Sequence, residues 1–234
     1  MDVKEILIDH NIEPKRIWDQ YFLIDKEIIE YEIGLAKLEK DDVVLEIGAG
    51  IGNVTEKIAE KSHVIAVERD SRFIPILEKL DNVEVIHNNA LRVIKELKFN
   101  KVVSNIPYAI SQKLIIELLK RKWELAVLVV QNEFAKKLKK DKLSAILSDC
   151  AEVKIIGNVP SSAFYPRGIS SAIVVLKQKA LLDEKFWYFL NKAFQNRNRN
   201  VKNVFPKCTE TMAKRKIHQL TLEELKTIYT NFNN

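Results

Sequence analysis

Cysteine is scarce in this sequence, and long hydrophobic segments are lacking. Two cysteines occur among 234 residues, Cys150 and Cys208, far apart and without a Cys or His partner at ligand spacing. We therefore expect neither a disulfide framework nor a metal site, and the pattern is typical of a reducing, cytoplasmic compartment. The longest apolar run of the core, residues 125–130, is far too short to span a membrane. Residues 1–20 lack the apolar stretch of a secretory signal.

Basic residues outnumber acidic ones in the chain. There are 38 Lys and Arg against 32 Asp and Glu, which gives a formal net charge of +6. A basic balance favours an anionic partner without specifying which one. The hydrophobic fraction of 47% is ordinary for a globular protein.

Seven apolar, β-branched runs predict strands. They cover residues 43–47, 63–68, 83–87, 101–105, 125–131, 153–159 and 172–176. Segments long enough for a crossover helix separate the first five, which favours a parallel sheet covered by helices on both faces. The last two are joined by a loop without helical spacing and are expected to pair as a hairpin. The pattern predicts an α/β fold of the class I, Rossmann-like methyltransferase type, with a seven-stranded, mostly parallel sheet and an antiparallel edge strand.

Strand signals stop after Gln178, and helical spacing of apolar residues takes over. Phe186, Phe189 and Leu190 recur on one helical face, and Thr-Leu-Glu-Glu at 221–224 resembles a capping box at the start of a last helix. We therefore predict one domain over residues 1–180 and a small helical domain over 181–234.

A glycine-rich loop follows the first predicted strand. Gly48, Gly50 and Gly52 alternate with other residues, which lets the backbone approach a ligand closely. Glu68 ends the second strand, where a carboxylate can accept hydrogen bonds from both ribose hydroxyls of a nucleoside. Asn89 follows the third strand and could contact an adenine edge. The three strand ends together predict one nucleoside site.

NAD and S-adenosylmethionine are the rival ligands for this site. The loop reads Gly-x-Gly-x-Gly rather than the dinucleotide fingerprint, and it contains neither Arg nor Lys. S-adenosylmethionine has no phosphate and requires neither feature, so it is favoured. A tight strand-to-helix turn without a ligand is the simpler alternative.

The residues Asn105-Ile106-Pro107-Tyr108 follow the fourth predicted strand, at the end where open α/β sheets place their chemistry. The Asn105 side-chain carbonyl and a backbone carbonyl beside the proline can accept the two hydrogens of an exocyclic amine on a nucleobase. This arrangement aims the nitrogen lone pair at a methyl donor, and Tyr108 can stack on the base. The tetrad suits methylation of such an amine, whereas a proline-containing turn is the simpler reading.

Further blocks occur along the chain in order. They are Asp-Gln-Tyr-Phe-Leu at 19–23, Gln-Asn-Glu-Phe-Ala at 131–135, Leu-Ser at 143–144, Val-Pro at 159–160, Phe-Tyr-Pro at 164–166, Ser-Ala-Ile at 171–173, the stretch 197–205 and His-Gln-Leu-Thr at 218–221. With the glycine loop and the tetrad, they make the chain resemble the KsgA-type ribosomal RNA adenine dimethyltransferases, as an archaeal-like short member. The resemblance implies a monomer that transfers four methyl groups from S-adenosylmethionine to two adjacent adenosines near the 3′ end of small-subunit ribosomal RNA, in the assembling small subunit.

Matching positions imply roles for individual residues. The expected cofactor-binding residues are Gln20, Tyr21, Leu23, Gly48, Gly50, Glu68, Arg69, Asn89, Ala90 and Asn105. The expected catalytic residues are Asn105, Ile106, Pro107, Tyr108 and Phe164, and Tyr108 and Phe164 would sandwich the adenine. Phe164 has the alternative of being a core aromatic, and Tyr21 that of covering the sheet.

Some positions depart from the family pattern. Asp19 stands where the family has Gly, Tyr21 where it has Asn or His, and Asn89 where it has Asp. The loop after Phe164 is shortened.

Two basic clusters are candidates for RNA binding. Arg197, Arg199 and Lys202 belong to a run of eight basic residues and one acid between 192 and 217. Interleaved asparagines and the lack of acidic partners at helical spacing favour a phosphate-contacting surface over a solvated helix face. The second cluster is Lys136, Lys137, Lys139 and Lys140.

Other functions stay open at this point. A related family dimethylates one large-subunit adenosine and confers antibiotic resistance, and it also uses Asn-Ile-Pro-Tyr. DNA adenine methylation is weaker, because those enzymes typically use Asn or Asp followed by Pro-Pro and an aromatic residue. A non-catalytic ribosome-assembly or transcription factor that retains the fold is the alternative from another class.

Overall fold

The computed structural model of the protein describes residues 2–138 and 142–233. Its strands are β1 Phe22–Leu23, β2 Val43–Ile47, β3 His63–Glu68, β4 Val83–His87, β5 Lys101–Asn105, β6 Leu125–Gln131, β7 Ala151–Val159, β8 Phe164–Tyr165 and β9 Ser171–Gln178. Its helices are α1 Val3–Asp9, α2 Lys26–Ala36, α3 Asn53–Ala59, α4 Ile74–Leu77, α5 Ala90–Val93, α6 Ser111–Leu119, α7 Asn132–Lys137, α8 Lys142–Cys150, α9 Glu184–Gln195, α10 Glu210–Ala213 and α11 Leu222–Asn233. Within the described ranges no helix is long and apolar enough to cross a membrane.

Seven strands form one sheet in the order β4-β3-β2-β5-β6-β9-β7. The pairs among β4, β3, β2, β5 and β6 are parallel, and β9 is antiparallel to both of its neighbours. The predicted α/β fold with a mostly parallel seven-stranded sheet is confirmed. The strand order reverses between β2 and β5, so the carboxyl ends of these two strands flank the crevice where open sheets bind ligands.

The hairpin of β7 and β9 differs from the prediction in one detail. The antiparallel strand, β9, lies one place inside the edge, and the edge strand β7 runs in the same direction as β6. Helices α7 and α8 between β6 and β7 allow a parallel return, whereas the short connection after β7 requires β9 to turn back beside it.

The central strands are buried on both faces, which explains their near-continuous apolar sequences. In β2, Val44 belongs to the apolar cluster on one face and Leu45 to the cluster on the other, and both are fully buried. Helix α2 covers one face with Ile29 and Ile33, and α6 covers the other with Leu114. The edge strand β7 instead alternates between covered and exposed residues.

The tail of the chain is helical, as its sequence predicts. Asp183 caps α9, and its carboxylate accepts hydrogen bonds from the backbone N–H of Lys185 and of Phe186. Thr221 and Glu224 form the predicted capping box, since each side chain accepts a hydrogen bond from the other residue's backbone N–H, at 2.8 and 3.2 Å. The apolar face of α9 joins the same core cluster as α6. The division into two domains at residue 180 stays a prediction.

Candidate active site

The glycine loop and Glu68 form the rigid part of the site. Gly48, Gly50 and Gly52 have φ values of +74°, +57° and +90°, which glycine adopts without strain. The Glu68 carboxylate accepts hydrogen bonds from the backbone N–H of Gly50 at 2.8 Å, Arg69 at 2.7 Å and Asp70 at 2.8 Å. Burial raises the pKa of Glu68, and these backbone bonds act in the opposite direction. Glu68 therefore ties the end of β3 to the loop after β2.

Close packing joins the glycine loop to the tetrad after β5. A side chain at Gly48 would place its Cβ 3.2 Å from Cγ of Pro107, and one at Gly50 would lie 2.9 Å from the Phe22 ring. The Ser104 hydroxyl donates a hydrogen bond to the Ile47 carbonyl at 2.7 Å, deep in the sheet. The ends of β2 and β5 are thereby held side by side.

Asn105 ends β5 with an unsatisfied acceptor. Its Oδ1 is buried and accepts no hydrogen bond from any described residue. A buried carbonyl left in this way costs about 1–3 kcal/mol, and such atoms in native proteins call for an explanation by function or by a bound group. Asn105 lines a pocket together with the glycine loop and Glu68.

Two adjoining pockets lie along the carboxyl ends of β2, β3 and β5, with about 640 and 530 Å³ of empty space, part of it open to solvent. Each predicted cofactor-binding residue lines at least one of them. The first pocket has Gln20, Tyr21, Leu23, Gly48, Gly50, Glu68, Arg69 and Asn105. The second has Gly48, Arg69, Asn89 and Ala90.

The segment before β1 lies over both pockets. Trp18 lines each of them, and its ring lies 4.4 Å from the Lys15 ammonium and 4.6 Å from the Arg69 guanidinium. Asp19 has a left-handed backbone with φ +56°, and its carboxylate accepts a hydrogen bond from the Ala109 N–H at 3.0 Å. A left-handed conformation suits glycine and is tolerated by aspartate. Asp19 thus fastens this segment to the turn after the tetrad.

Gln20 holds the same segment from the other side. Its amide donates to the Asp70 carboxylate at 2.7 Å and accepts from the Lys15 N–H at 2.6 Å and from Arg72 at 3.2 Å. Burial alone would raise the pKa of Asp70, but hydrogen bonds from Arg72 and Gln20 outweigh it and lower that pKa to about 2. The Gln20 amide is therefore committed to this network at the pocket wall.

Two buried carboxyls lie behind the glycine loop. Glu46 lines the first pocket with Oε2 free of any described partner, and Glu32 of α2 is fully buried with both oxygens unpaired among the described residues. The pKa of each is raised to about 8, mainly by burial and, for Glu32, also by the charge of Glu46. Sequence reasoning assigned neither residue a role, although a carboxylate inside an apolar strand and another between Ile29 and Ile33 were visible signals.

Comparisons with known proteins identify the family. The family model described as ribosomal RNA adenine dimethylase matches residues 12–230. The chain belongs to this family. It is 34% identical over 257 residues to a probable ribosomal RNA small subunit methyltransferase A of Methanosarcina barkeri, covering 95% of this chain and 89% of that protein. It is 39% identical over 204 residues to the protein of the same name in Methanococcus maripaludis strain C6, covering 79% and 78%.

Solved structures agree with this assignment. A dimethyladenosine transferase from Plasmodium falciparum superposes with a TM-score of 0.77 at 25% identity, covering 91% of this chain and 97% of that one. The 23S ribosomal RNA methyltransferase ErmE gives a TM-score of 0.67 at 23% identity, covering 91% and 100%, which shows a shared fold. The predicted Rossmann-like methyltransferase fold is confirmed.

Ribosomal RNA adenine dimethylases use S-adenosylmethionine, and the residues of the pockets fit this cofactor. Asn105 and Glu46 line the first pocket, and the buried Oδ1 and Oε2 of these residues lack partners among the described residues. Unpartnered oxygen acceptors suit a ligand that carries an ammonium group.

Asn89 and Phe164 of the dimethylase's predicted site are already engaged in local structure, Asn89 in a helix cap and Phe164 in the core. Asn89 caps α5, where its side-chain oxygen accepts a hydrogen bond from the Leu91 N–H at 3.0 Å, so one acceptor position is already used. Phe164 is 4% exposed, packs in the core cluster with Leu23 and lines neither pocket. Its stacking on adenine stays a prediction, and its position here matches the alternative of a core aromatic.

Tyr108 lines neither pocket, but it contacts Tyr21, which lines the first one. Its ring stacks on Tyr21 with centroids 6.2 Å apart and planes 25° apart, and its hydroxyl lies 3.2 Å from the Ser171 Oγ. Burial raises the pKa of Tyr108, so the hydroxyl stays protonated. Sequence reasoning did not predict the contact between the two tyrosines.

The predicted RNA-binding residues are on the surface. Arg197, Arg199, Lys202, Lys136 and Lys137 are all exposed, and Lys136 pairs with Glu133 at 2.7 Å. Lys139 and Lys140 lie outside the described residues.

One member of the basic run in the tail has an acidic partner outside the helical spacing considered in the sequence. Arg215 forms an ion pair with Glu224. The partner stands nine positions along the chain and is brought near by the turn before α11, so helical spacing could not reveal it.

Proposed function

We propose that this dimethylase transfers methyl groups from S-adenosylmethionine to the N6 amines of two adjacent adenosines near the 3′ end of small-subunit ribosomal RNA. The product is N6,N6-dimethyladenosine. The observation that carries the proposal is the buried, unpartnered Oδ1 of Asn105 beside the pocket formed by the glycine loop and Glu68. The names of the archaeal relatives support the small subunit as the source of the RNA.

The cofactor supplies an electrophilic methyl group, and the residues of the chain position it. The loop at Gly48 and Gly50 brings the backbone against the ligand. Glu68 accepts a hydrogen bond from a ribose hydroxyl with the one lone-pair position that its three bonds from backbone N–H groups leave free. Glu46 offers the unpartnered Oε2 of its carboxyl group as a hydrogen-bond acceptor for the ammonium end of the cofactor. Asn89 donates its amide N–H toward the adenine ring, since its oxygen caps α5.

Asn105 prepares the nucleophile. The N6 lone pair of adenine is delocalised into the ring, so the free amine is a weak nucleophile. The Asn105 Oδ1 and the Ile106 carbonyl accept the two amine hydrogens, which draws the nitrogen toward tetrahedral geometry and stabilises the positive charge that develops on it. Acceptors fixed in place before the reaction need no reorganisation during it. Pro107, packed against Gly48, fixes the direction of the turn.

The target adenosine must leave its stack to reach Asn105, as in other base-modifying enzymes. Tyr108 offers an aromatic face for the extruded base. Arg197, Arg199 and Lys202 would contact the RNA backbone, because structured RNA is recognised largely by shape and phosphate contacts. We further propose that the protein acts as a monomer on the assembling small subunit in the cytoplasm.

Methyl transfer from labelled S-adenosylmethionine tests the proposal. Undermethylated small subunits, large-subunit RNA and duplex DNA serve as parallel substrates, and mass spectrometry of the digested nucleosides identifies the product. Dimethyladenosine in small-subunit RNA alone is the expected result. Label in large-subunit RNA would indicate the resistance-type activity instead, and no label in any substrate, with the cofactor bound, would indicate a binding or assembly protein.

A further inference from the structure

A second cleft, lined by residues other than those of the active site, lies between α9 and α11 of the helical tail. Its floor consists of the rings of Phe189, Phe205 and Tyr229. The centroid of Phe189 lies 4.5 Å from that of Phe205 and 5.5 Å from that of Tyr229. Tyr188 stands at the side of the cleft with 75% of its surface exposed. The cleft has about 820 Å³ of empty space, part of it open to solvent.

The polar end of the floor is satisfied away from the cleft. The Tyr229 hydroxyl donates a hydrogen bond to the Asp183 carboxylate at 2.9 Å, and Asp183 also caps α9. Phe189 and Phe205 are almost fully buried, so the exposed Tyr188 and the half-buried Tyr229 offer most of the aromatic surface to a ligand. Flat aromatic ligands are the class that such a surface accommodates.

Positive charge surrounds the aromatic floor. Lys185 and Lys192 line the cleft from the same face of α9, about 10.5 Å apart along the helix axis for seven residues. Neither lysine has an ion pair with an acidic side chain in the described part of the chain. The one acid at the rim, Glu184, lies 3.6 Å from the Lys120 ammonium, which offsets its charge.

We propose that this cleft binds an unstacked base of single-stranded RNA, with the neighbouring phosphates held by Lys185 and Lys192. Single-stranded RNA is recognised by aromatic side chains that stack on bases beside cations that follow the backbone. The proposal rests on the proposed RNA substrate and adds a second point of contact on it.

A second copy of the chain is a poorer occupant of the cleft. In a two-fold dimer the same patch would meet itself, so four lysines would converge with two Glu184 carboxylates, each of which is already offset by Lys120. The net charge of +6 opposes that association and favours a polyanion.

Fluorescence anisotropy with a labelled hexauridylate measures the aromatic part of the site. Tyr188→Ala is expected to weaken binding about tenfold, because one base–aromatic stack is lost. Tyr188→Phe keeps the ring and should bind as the unmodified protein does. Tyr31→Ala is the matched control, since Tyr31 is an exposed tyrosine of α2 outside the cleft. The side chain of Tyr188 is mostly exposed, so these variants should fold normally.

Salt dependence measures the charged part. In the double variant Lys185→Gln, Lys192→Gln, the negative slope of log affinity against log salt should become shallower by about 1.4. This change corresponds to the loss of two contacts to phosphates of a single strand. Lys79→Gln with Lys122→Gln removes two exposed lysines outside the cleft and should leave the slope unchanged.

An oligonucleotide of the same charge with abasic riboses separates stacking from charge. The proposal requires the effect of Tyr188→Ala to vanish with this ligand. It is overturned if Tyr188→Ala binds hexauridylate as the unmodified protein does, if the abasic strand shows the same loss, or if sedimentation shows a dimer that Tyr188→Ala dissociates. Methyl transfer to small subunits is scored separately. Methyl transfer to small subunits without hexauridylate binding would contradict only the proposed role of the cleft. Hexauridylate binding without methyl transfer would contradict only the proposed function.

Discussion

The cofactor side and the base side of the active site are built in different ways. On the cofactor side, three backbone N–H groups converge on Glu68, and the glycine loop holds positive φ angles against Pro107 and Phe22. On the base side, Tyr108 already stacks on Tyr21, and Phe164 is buried in the core. Hydrogen bonds and backbone geometry organise the first side, whereas side-chain stacking organises the second.

This difference indicates which part of the site is ready before RNA arrives. On the cofactor side, backbone contacts already fix Glu68 and the glycine loop. An adenine that stacks on Tyr108 must use the ring face opposite Tyr21 or displace Tyr21 from it. We infer that the cofactor side is complete in the free protein and that the base side is completed by the RNA.

Removing the Asn105 amide should have the largest effect and separate the two sides. Asn105→Ala is expected to slow methyl transfer by about 10²–10³-fold in single-turnover assays, because an acceptor for developing charge is lost. Cofactor affinity should change by less than about tenfold, and Asn105→Asp, which keeps an oxygen acceptor, should recover part of the rate. Near-normal turnover by Asn105→Ala would mean that Asn105 does not hold the amine.

Filling the glycine loop should damage the cofactor side next. Gly50→Ala places a Cβ 2.9 Å from the Phe22 ring at a φ of +57°, so we expect cofactor affinity to fall at least about tenfold and stability to fall by about 2 kcal/mol. Gly34→Ala is the control, because that helical position is open, and it should gain about 0.5–1 kcal/mol. Calorimetry and denaturant titration measure both variants. Unchanged cofactor binding in Gly50→Ala would show that the loop is not in contact with the ligand.

The buried carboxyls should make stability depend on pH. The pKa values of Glu32 and Glu46 are raised to about 8 from the ordinary 4.5, so the folded state binds more protons than the unfolded state across this window. Stability should therefore fall as pH rises from about 4.5 to about 8 and level off above it. Glu32→Gln should gain about 3–4 kcal/mol relative to the unmodified protein between pH 5 and pH 8.

Denaturant titration at the two pH values tests this dependence. Glu30→Gln, an exposed carboxyl on the same helix, serves as the control and should show no such gain. An equal stability difference for Glu32→Gln at both pH values would contradict the assignment.

Changes on the RNA side should be smallest and depend on salt. Replacing Arg197 and Arg199 by glutamine should weaken RNA binding a few-fold and reduce the slope of log affinity against log salt by about 1–2. Cofactor affinity should not change. An unaltered slope would favour the alternative interpretation, in which these basic residues form a solvated helix face without RNA contacts.

Sequence patterns predicted the parts of the site that depend on neighbouring residues. The strand ends at Glu68 and Asn105, the glycine loop and the capping box of Thr221 with Glu224 follow from local periodicity and turn chemistry. The stacking of Tyr21 on Tyr108 and the burial of Phe164 depend on contacts between segments that are distant in sequence. The spacing of residues along the chain therefore cannot predict them.

The same limit applies to charged groups. Glu32 and Glu46 stand on α2 and β2 and become neighbours through the packing of that helix on the sheet. Asp19 shows a middle case, because its left-handed φ explains why glycine suits that position, while its bond to the Ala109 N–H appears only in the structure.

Calorimetric titration of S-adenosylmethionine into the protein without RNA tests the central claim most directly. If the cofactor side is complete in the free protein, one molecule should bind per chain, and Gly50→Ala should weaken the binding while Gly34→Ala leaves it unchanged. Cofactor binding that appears only after RNA is added would contradict the claim, since both sides of the site would then be assembled by the substrate.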